Sequence, residues 1–239
     1  MSESAQETRS RILDRARVLY NEHGIDNVGV RDLARDLGLS PGNVSYWFPR
    51  KEDLVRALLE NLRDRGGARP RGDTVGTVPD LLLGFRSALL AQLEYRCLTE
   101  SIVHVTRTWP DLAPFYRKVE RRRRQELAGA VRALSATGAL LPVTDADVAR
   151  LVATWTLVAR FWMAERGVSL STFTDEEAVG HYVALVGHSL LPYVSEAQRS
   201  ALAPFLSGTL IDASLGMGAV WAFDPEDGAA GEPSAEAAR

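Results

Sequence analysis

Gly42, Asn43, Ser45, Tyr46 and Trp47 put amide, hydroxyl and indole hydrogen-bonding groups on one short segment whose only aliphatic residue is Val44. A helix of that composition is poor core material, but its small, polar surface suits the base edges and phosphates of a DNA groove. Ser40 is a good N-cap and Pro41 fits the first helical position, so the helix should begin there. Arg31, Arg50 and Lys51 bracket it with positive charge.

Such a helix needs a partner to hold it. In the surrounding run VGVRDLARDLGLSPGNVSYWFPRK (28–51), Ala34, Gly38 and Val44 stand at the spacing of a helix-turn-helix. A small residue lets two helices approach, a glycine takes the left-handed turn, and an apolar residue packs the second helix back. Two short helices are predicted near 30–37 and 41–47. Upstream, Ile12, Ala16, Leu19 and Tyr20 predict a helix over 7–23 that Gly24 ends, with residues 1–6 disordered. Leu54, Val55, Leu58 and Leu62 mark a fourth helix over 52–63. The glycine- and proline-rich run 66–78 reads as a flexible joint after an N-terminal domain of residues 1–65.

From 79 to 223 the pattern is uniformly helical, with helices expected at 79–93, 95–108, 112–136, 145–166, 175–191 and 195–206. Pro110, Gly138, Pro142, Gly167 and Pro192 punctuate them. No alternating strand or internal repeat is evident, so the fold class is all-α. The glycine-broken apolar segment 207–223 receives no assignment, and the acidic tail 224–239 reads as disordered.

Bulk properties narrow the function. The 239 residues are 46% hydrophobic and 25% charged, an ordinary soluble composition. No stretch approaches the ~18–20 apolar residues of a membrane helix, and the polar N-terminus does not resemble a signal peptide, so a cytoplasmic location is expected. Cys97 is the single cysteine, which excludes an intramolecular disulfide and a thiolate metal cluster. His181 and His188 lie two turns apart, too far for one ion, so no metal and no cofactor are expected. Ser/His/Asp order, phosphate loop, CxxC and HExxH are all lacking, which argues against an enzyme. The net charge is −3, and residues 1–66 carry eleven basic and eleven acidic side chains. With charges screened over ~8 Å, only their placement separates a DNA-reading face from a neutral domain that binds nothing charged.

Taken together, Arg31-Asp32-Leu33-Ala34, Gly38-Leu39-Ser40, Gly42-Asn43-Val44, Tyr46-Trp47-Phe48 and Lys51-Glu52-Asp53-Leu54 resemble the TetR (tetracycline-repressor) family over residues 7–62. The resemblance implies a three-helix DNA-binding domain with a helix-turn-helix, followed by a larger helical ligand-binding and dimerisation domain (79–223). It implies Arg31 as a base contact, Asn43 as a reader of adenine, and Ser40, Pro41, Gly42 and Ser45 at the approach to the base edges. It places Tyr46 and Trp47 at phosphate or sugar and Lys51 on a phosphate. Packing against the first helix is an equal alternative for Trp47. Ser45 and Trp47 stand where the family usually has tyrosine and histidine, and Gly29 replaces a capping threonine.

A small helix-turn-helix reads few base pairs, so useful affinity calls for a homodimer on a palindromic operator of double-stranded DNA. Helix 145–166 is apolar nearly all round, and Gly180, Val183, Ala184, Gly187 and Leu191 form a small-residue face on 175–191. Both fit a subunit interface or, alternatively, packing within the chain. His104 and Arg107, one turn apart, with Trp109, Phe115, Trp155 and Phe161, could line a site for a small-molecule effector, or serve as core. Arg121 to Arg124 read as a solvated face, with Glu120 and Glu126 as candidate salt-bridge partners. The reading is a ligand-released repressor, with a regulator gated by a protein partner, or an activator, as its alternative.

Overall fold

A computed structural model describes residues 3–66 and 76–207. The expectations for a flexible joint, for segment 207–223 and for the tail 224–239 fall almost wholly on 67–75 and 208–239, outside the described residues. The described helices are α1 (Glu3–His23), α2 (Val30–Leu37), α3 (Pro41–Trp47), α4 (Lys51–Gly66), α5 (Val78–Glu94), α6 (Arg96–Thr99), α7 (Ile102–Thr108), α8 (Leu112–Ala136), α9 (Asp145–Ser169), α10 (Asp175–Leu190) and α11 (Glu196–Leu206). A 3₁₀ turn at Leu191–Tyr193 joins the last two, and no strand occurs among the described residues. No described helix is long and apolar enough to cross a membrane.

The helix starts follow from their caps. Thr77 with Asp80, Thr144 with Asp147, and Thr174 with Glu177 form reciprocal capping boxes at α5, α9 and α10. Three expectations need correction. Residues 3–6 are helical, not disordered, because Glu3, Ala5 and Gln6 are good or adequate helix formers continuing from the anchored turn at Ile12 and Leu13. Gly167 does not end α9, since an interior glycine costs only about 1 kcal/mol. The helix expected over 95–108 breaks into α6 and α7. At the break the Thr99 hydroxyl lies within hydrogen-bonding reach of the carbonyls of Gln92, Tyr95 and Arg96, competing with the helical backbone ladder.

Two hydrophobic cores result. The first joins α1–α4 to Tyr95, Cys97, Leu98, Ile102, Val105 and Leu112, so the core built on the N-terminal helices continues past residue 65. The second gathers α5, the distal half of α8, and α9–α11 around the fully buried Trp155 and Trp162. Both indoles are satisfied: Trp155 Nε1 donates to Ser189 Oγ at 2.8 Å and Trp162 Nε1 to Gln92 Oε1 at 2.5 Å. Across the junction, Arg17 Nη1 and Asn21 Nδ2 of α1 donate to the Glu94 carbonyl at 3.1 and 2.8 Å. Asn21 Oδ1 accepts from the Cys97 amide at 3.0 Å. The first helix is thus clamped onto the α5–α6 corner.

Hydrogen bonds from Thr144 (hydroxyl, then amide) and from the Tyr193 hydroxyl hold the Asp147 carboxyl down, to about 2 against an ordinary 3.8. A carboxylate depressed in the folded state contributes stability above its unfolded value and loses it as pH falls. Acid unfolding between about pH 4 and 2 should therefore be blunted in Asp147→Asn, whose stability near neutral pH should be lower. Parallel melting curves from pH 7 to 2 check this, and equal slopes for both proteins would contradict it.

Candidate nucleic-acid interface

The local chemistry of residues 28–51 builds one rigid unit. Gly29 is extended and its N–H donates to Asp32 Oδ2 at 3.0 Å, the half of a capping box available without a side chain. Gly38 adopts φ 67°, and the following Leu39 amide bonds to the Ala34 carbonyl at 2.9 Å, closing α2. Ser40 Oγ accepts from the Asn43 amide at 3.2 Å and starts α3. Val44 and Phe48 are buried and pin α3 against the first core, while Leu33 and Ala34 do the same for α2. The helix-turn-helix stands as its spacing predicts.

What faces outward is the useful part. Ser40, Pro41, Gly42 and Asn43 are exposed, and Tyr46 is 77% exposed. Ser45 and Trp47 are half-buried, and Trp47 packs on the first core while meeting Tyr46 edge-on at 5.1 Å. Trp47 therefore buttresses the recognition helix and presents only part of its ring.

The basic residues divide sharply. Arg31, in the first turn of α2, has no carboxylate partner among the described residues. Arg35 pairs with Asp32 at 3.3 Å, and Arg50 with Glu52 at 3.3 Å and Asp53 at 3.4 Å. Lys51 turns inward: its Nζ donates to the Asp26 carbonyl at 3.3 Å and lies 5.8 Å from the Tyr20 ring centre, and burial lowers its pKa. To reach a phosphate, that amine must leave this site. Sequence reasoning missed Arg9 of α1, whose guanidinium lies 5.1 Å from the Phe48 ring, a placement only the tertiary fold reveals.

The residues expected to form an effector pocket are dispersed. His104 Nε2 faces Asp26 Oδ2 at 2.8 Å, bridging α7 to the loop before α2. With Arg107 it lines an open surface groove that also holds Glu100, Ser101, Val103 and Thr108. Trp109 and Phe115 pack against the first core. Trp155 is buried in the second, and Phe161 is 44% exposed on the outside of α9. Six residues at 100° each turn Phe161 away from Trp155, so the two do not form one wall.

The residues expected to form a small-residue face on α10 divide between buried and half-buried positions. Val183, Ala184 and Gly187 are buried within the protomer, where α10 packs on α5 and α11. A Cβ at Gly187 would sit 2.9 Å from Leu206 Cδ2 and 3.6 Å from Leu82 Cδ1. Gly180 and Leu191 are half-buried. Gly187→Val should accordingly cost about 1–3 kcal/mol of stability, measurable by urea unfolding, and an unchanged midpoint would contradict the close approach. An exposed stripe with three large apolar residues, Leu157, Phe161 and Val168, lies on α9. Thr154, Leu157, Phe161, Ala164 and Val168 are exposed at alternating three- and four-residue spacing along α9, and Leu185 is exposed on the neighbouring α10.

Comparison with known proteins places this geometry. A family model described as bacterial regulatory proteins, tetR family, matches residues 12–58, and one described as TetR, bacterial transcriptional repressor, matches residues 51–202. The HTH-type transcriptional regulator UidR of Escherichia coli is 34% identical over 71 residues, 30% of this chain and 36% of UidR. The HTH-type transcriptional regulator TtgR of Pseudomonas putida is 28% identical over 109 residues, 43% of this chain and 52% of TtgR. The matched stretch thus spans about a third to a half of these curated relatives. A TetR-family regulator structure from Marinobacter aquaeolei superposes with TM-score 0.72 at 23% identity, covering 83% of this chain and 97% of that one.

Proposed function

Because this chain belongs to the TetR family, whose members are bacterial transcriptional regulators rather than enzymes, we propose that it is a homodimeric repressor that a small molecule releases from a palindromic operator. The observation that carries the reading is the outward face of α2 and α3. Asn43 and Tyr46 stand exposed on a capped helix, and Arg31 beside them is free of the carboxylates that neutralise Arg35 and Arg50. Arg31 is suited to guanine in a bidentate contact and Asn43 to adenine. Ser40, Pro41 and Gly42 allow close approach.

The heptad-like stripe on α9 supports dimerisation, because two copies would bury Leu157, Phe161 and Val168 against each other. Subunits so joined set the spacing of two recognition helices near the ~34 Å of successive major grooves. Release requires a ligand that binds unequally to the operator-matched and mismatched arrangements. The clamp of Arg17 and Asn21 on the α5–α6 corner gives such a shift a route to α1, as does the His104–Asp26 pair to the loop before α2.

Selection of genomic fragments by the full chain, followed by footprinting, tests the reading. The expected result is enrichment of fragments with an inverted repeat, loosened by at least one compound from a metabolite collection. Enrichment of no common sequence would overturn it.

A further inference from the structure

A polar cluster on α8 and α9 lies at the seam between the two cores, and DNA binding leaves it unused. Glu120 is 8% exposed. Its Oε1 accepts from Arg123 Nη1 at 3.2 Å and its Oε2 from Arg160 Nη2 at 2.7 Å. The Tyr116 hydroxyl lies beside this cluster, and its pKa is raised chiefly by burial. Tyr116 packs on the first core, while Val158 and Ala159, beside Arg160, pack on the second. Arg123 Nη2 lies 3.7 Å from where a Cβ at Gly66 would stand, so the cluster reaches the last turn of α4.

The cluster is unfinished in two ways. Two guanidinium groups face one carboxylate, so the cluster carries one positive charge in excess at a half-buried place, where a further anion would be attracted. Arg160 Nε is buried and has no hydrogen-bond acceptor among the described residues. Guanidinium binds carboxylate best through two parallel N–H bonds. Glu120 fills only the Nη2 side of this fork because its other oxygen is held by Arg123. A carboxylate not tied to Arg123 would engage Nε and Nη2 together.

We propose that this cluster anchors the carboxylate of a small-molecule effector, which takes Arg160 Nε and Nη2 while Glu120 stays on Arg123. The exchange leaves two neutral pairs and breaks the direct link of Glu120 from α8 to α9. Because α4 ends at the same place and begins behind the recognition helix, the effector acts on the link between the two halves. This inference rests on the ligand-release reading and names the ligand's chemical class.

The test uses full-length protein and matched probes: hexanoate with hexanamide, phenylacetate with phenylacetamide, and 4-hydroxybenzoate with its amide. Thermal shift, calorimetry and operator release are read for each. At least one acid is expected to bind and its amide not to. Arg160→Gln should lose ~10- to 100-fold in acid affinity, the range of hydrogen bonds to a charged group. Glu120→Gln should gain in acid affinity, since the competing carboxylate is gone, whereas a purely structural role would make both variants weaker. Arg160→Lys, which keeps the charge and loses the fork, stands in if Arg160→Gln fails to fold, and should also bind acids less well. Equal binding of acids and amides, no binding by any acid, or weaker acid binding by Glu120→Gln would overturn the proposal. Release of the operator by neutral compounds alone would overturn it while leaving the ligand-release reading intact. An operator complex indifferent to every compound would overturn both.

Discussion

Leu157→Glu/Phe161→Glu should yield a folded monomer that binds an operator fragment ~10²- to 10⁴-fold more weakly than the parent chain, the range in which linked binding sites gain over single ones. Both side chains stand on the exposed stripe of α9, outside the buried set Val148, Leu151, Val152, Trp155, Trp162 and Met163. Substitution there spares the second core. It would place four carboxylates in a two-fold interface that must otherwise bury apolar surface, and like charges in a desolvated contact are strongly unfavourable. Sedimentation velocity and fluorescence anisotropy report mass and affinity together. A dimer that persists with undiminished affinity would move the interface off this stripe.

Arg31→Ala carries the second large effect. A bidentate contact to guanine is worth about 1–3 kcal/mol against the wrong base. A dimer makes it twice, so operator affinity should fall by about 2–6 kcal/mol with specificity relaxed at the matching positions. Stability should hold within about 0.5 kcal/mol, because the side chain has no carboxylate partner among the described residues and lies outside the buried core. Lys51→Ala is the useful contrast. Its amine is engaged with the Asp26 carbonyl and the Tyr20 ring, so part of its loss should appear as destabilisation. An Arg31→Ala variant with unchanged operator affinity would remove Arg31 from the interface.

Residues 28–51 were legible because their constraints are local. Ala34, Gly38, Ser40 and Pro41 determine backbone conformations within a few residues of themselves, and α2 ends and α3 begins where those residues place them. Helix 112–136 was equally plain, bounded by Pro110 and Gly138. The larger half was harder because its outcome depends on which side of each helix another element covers. Gly187 and Leu157 both suit a helix contact, and only the arrival of α11 decides that Gly187 is sealed within the protomer. Trp155 and Phe161 are both aromatic but do not share a face. Lys51 matches a phosphate-binding pattern, yet Asp26, far from it in the chain, supplies the carbonyl its amine meets. Glu120 beside the run Arg121 to Arg124 was legible as a salt-bridge partner, but Arg160, forty residues from Glu120, gave no sequence signal of joining it.

The most direct measurement is a footprint of the full chain on a selected genomic fragment, run beside Arg31→Ala. The expected result is two protected half-sites related by inverted symmetry, centred about 10–10.5 base pairs or a multiple apart, with protection lost in the variant at the same protein concentration. Protection of a single unrepeated site, or identical protection by both proteins, would contradict a dimeric repressor reading DNA through α2 and α3.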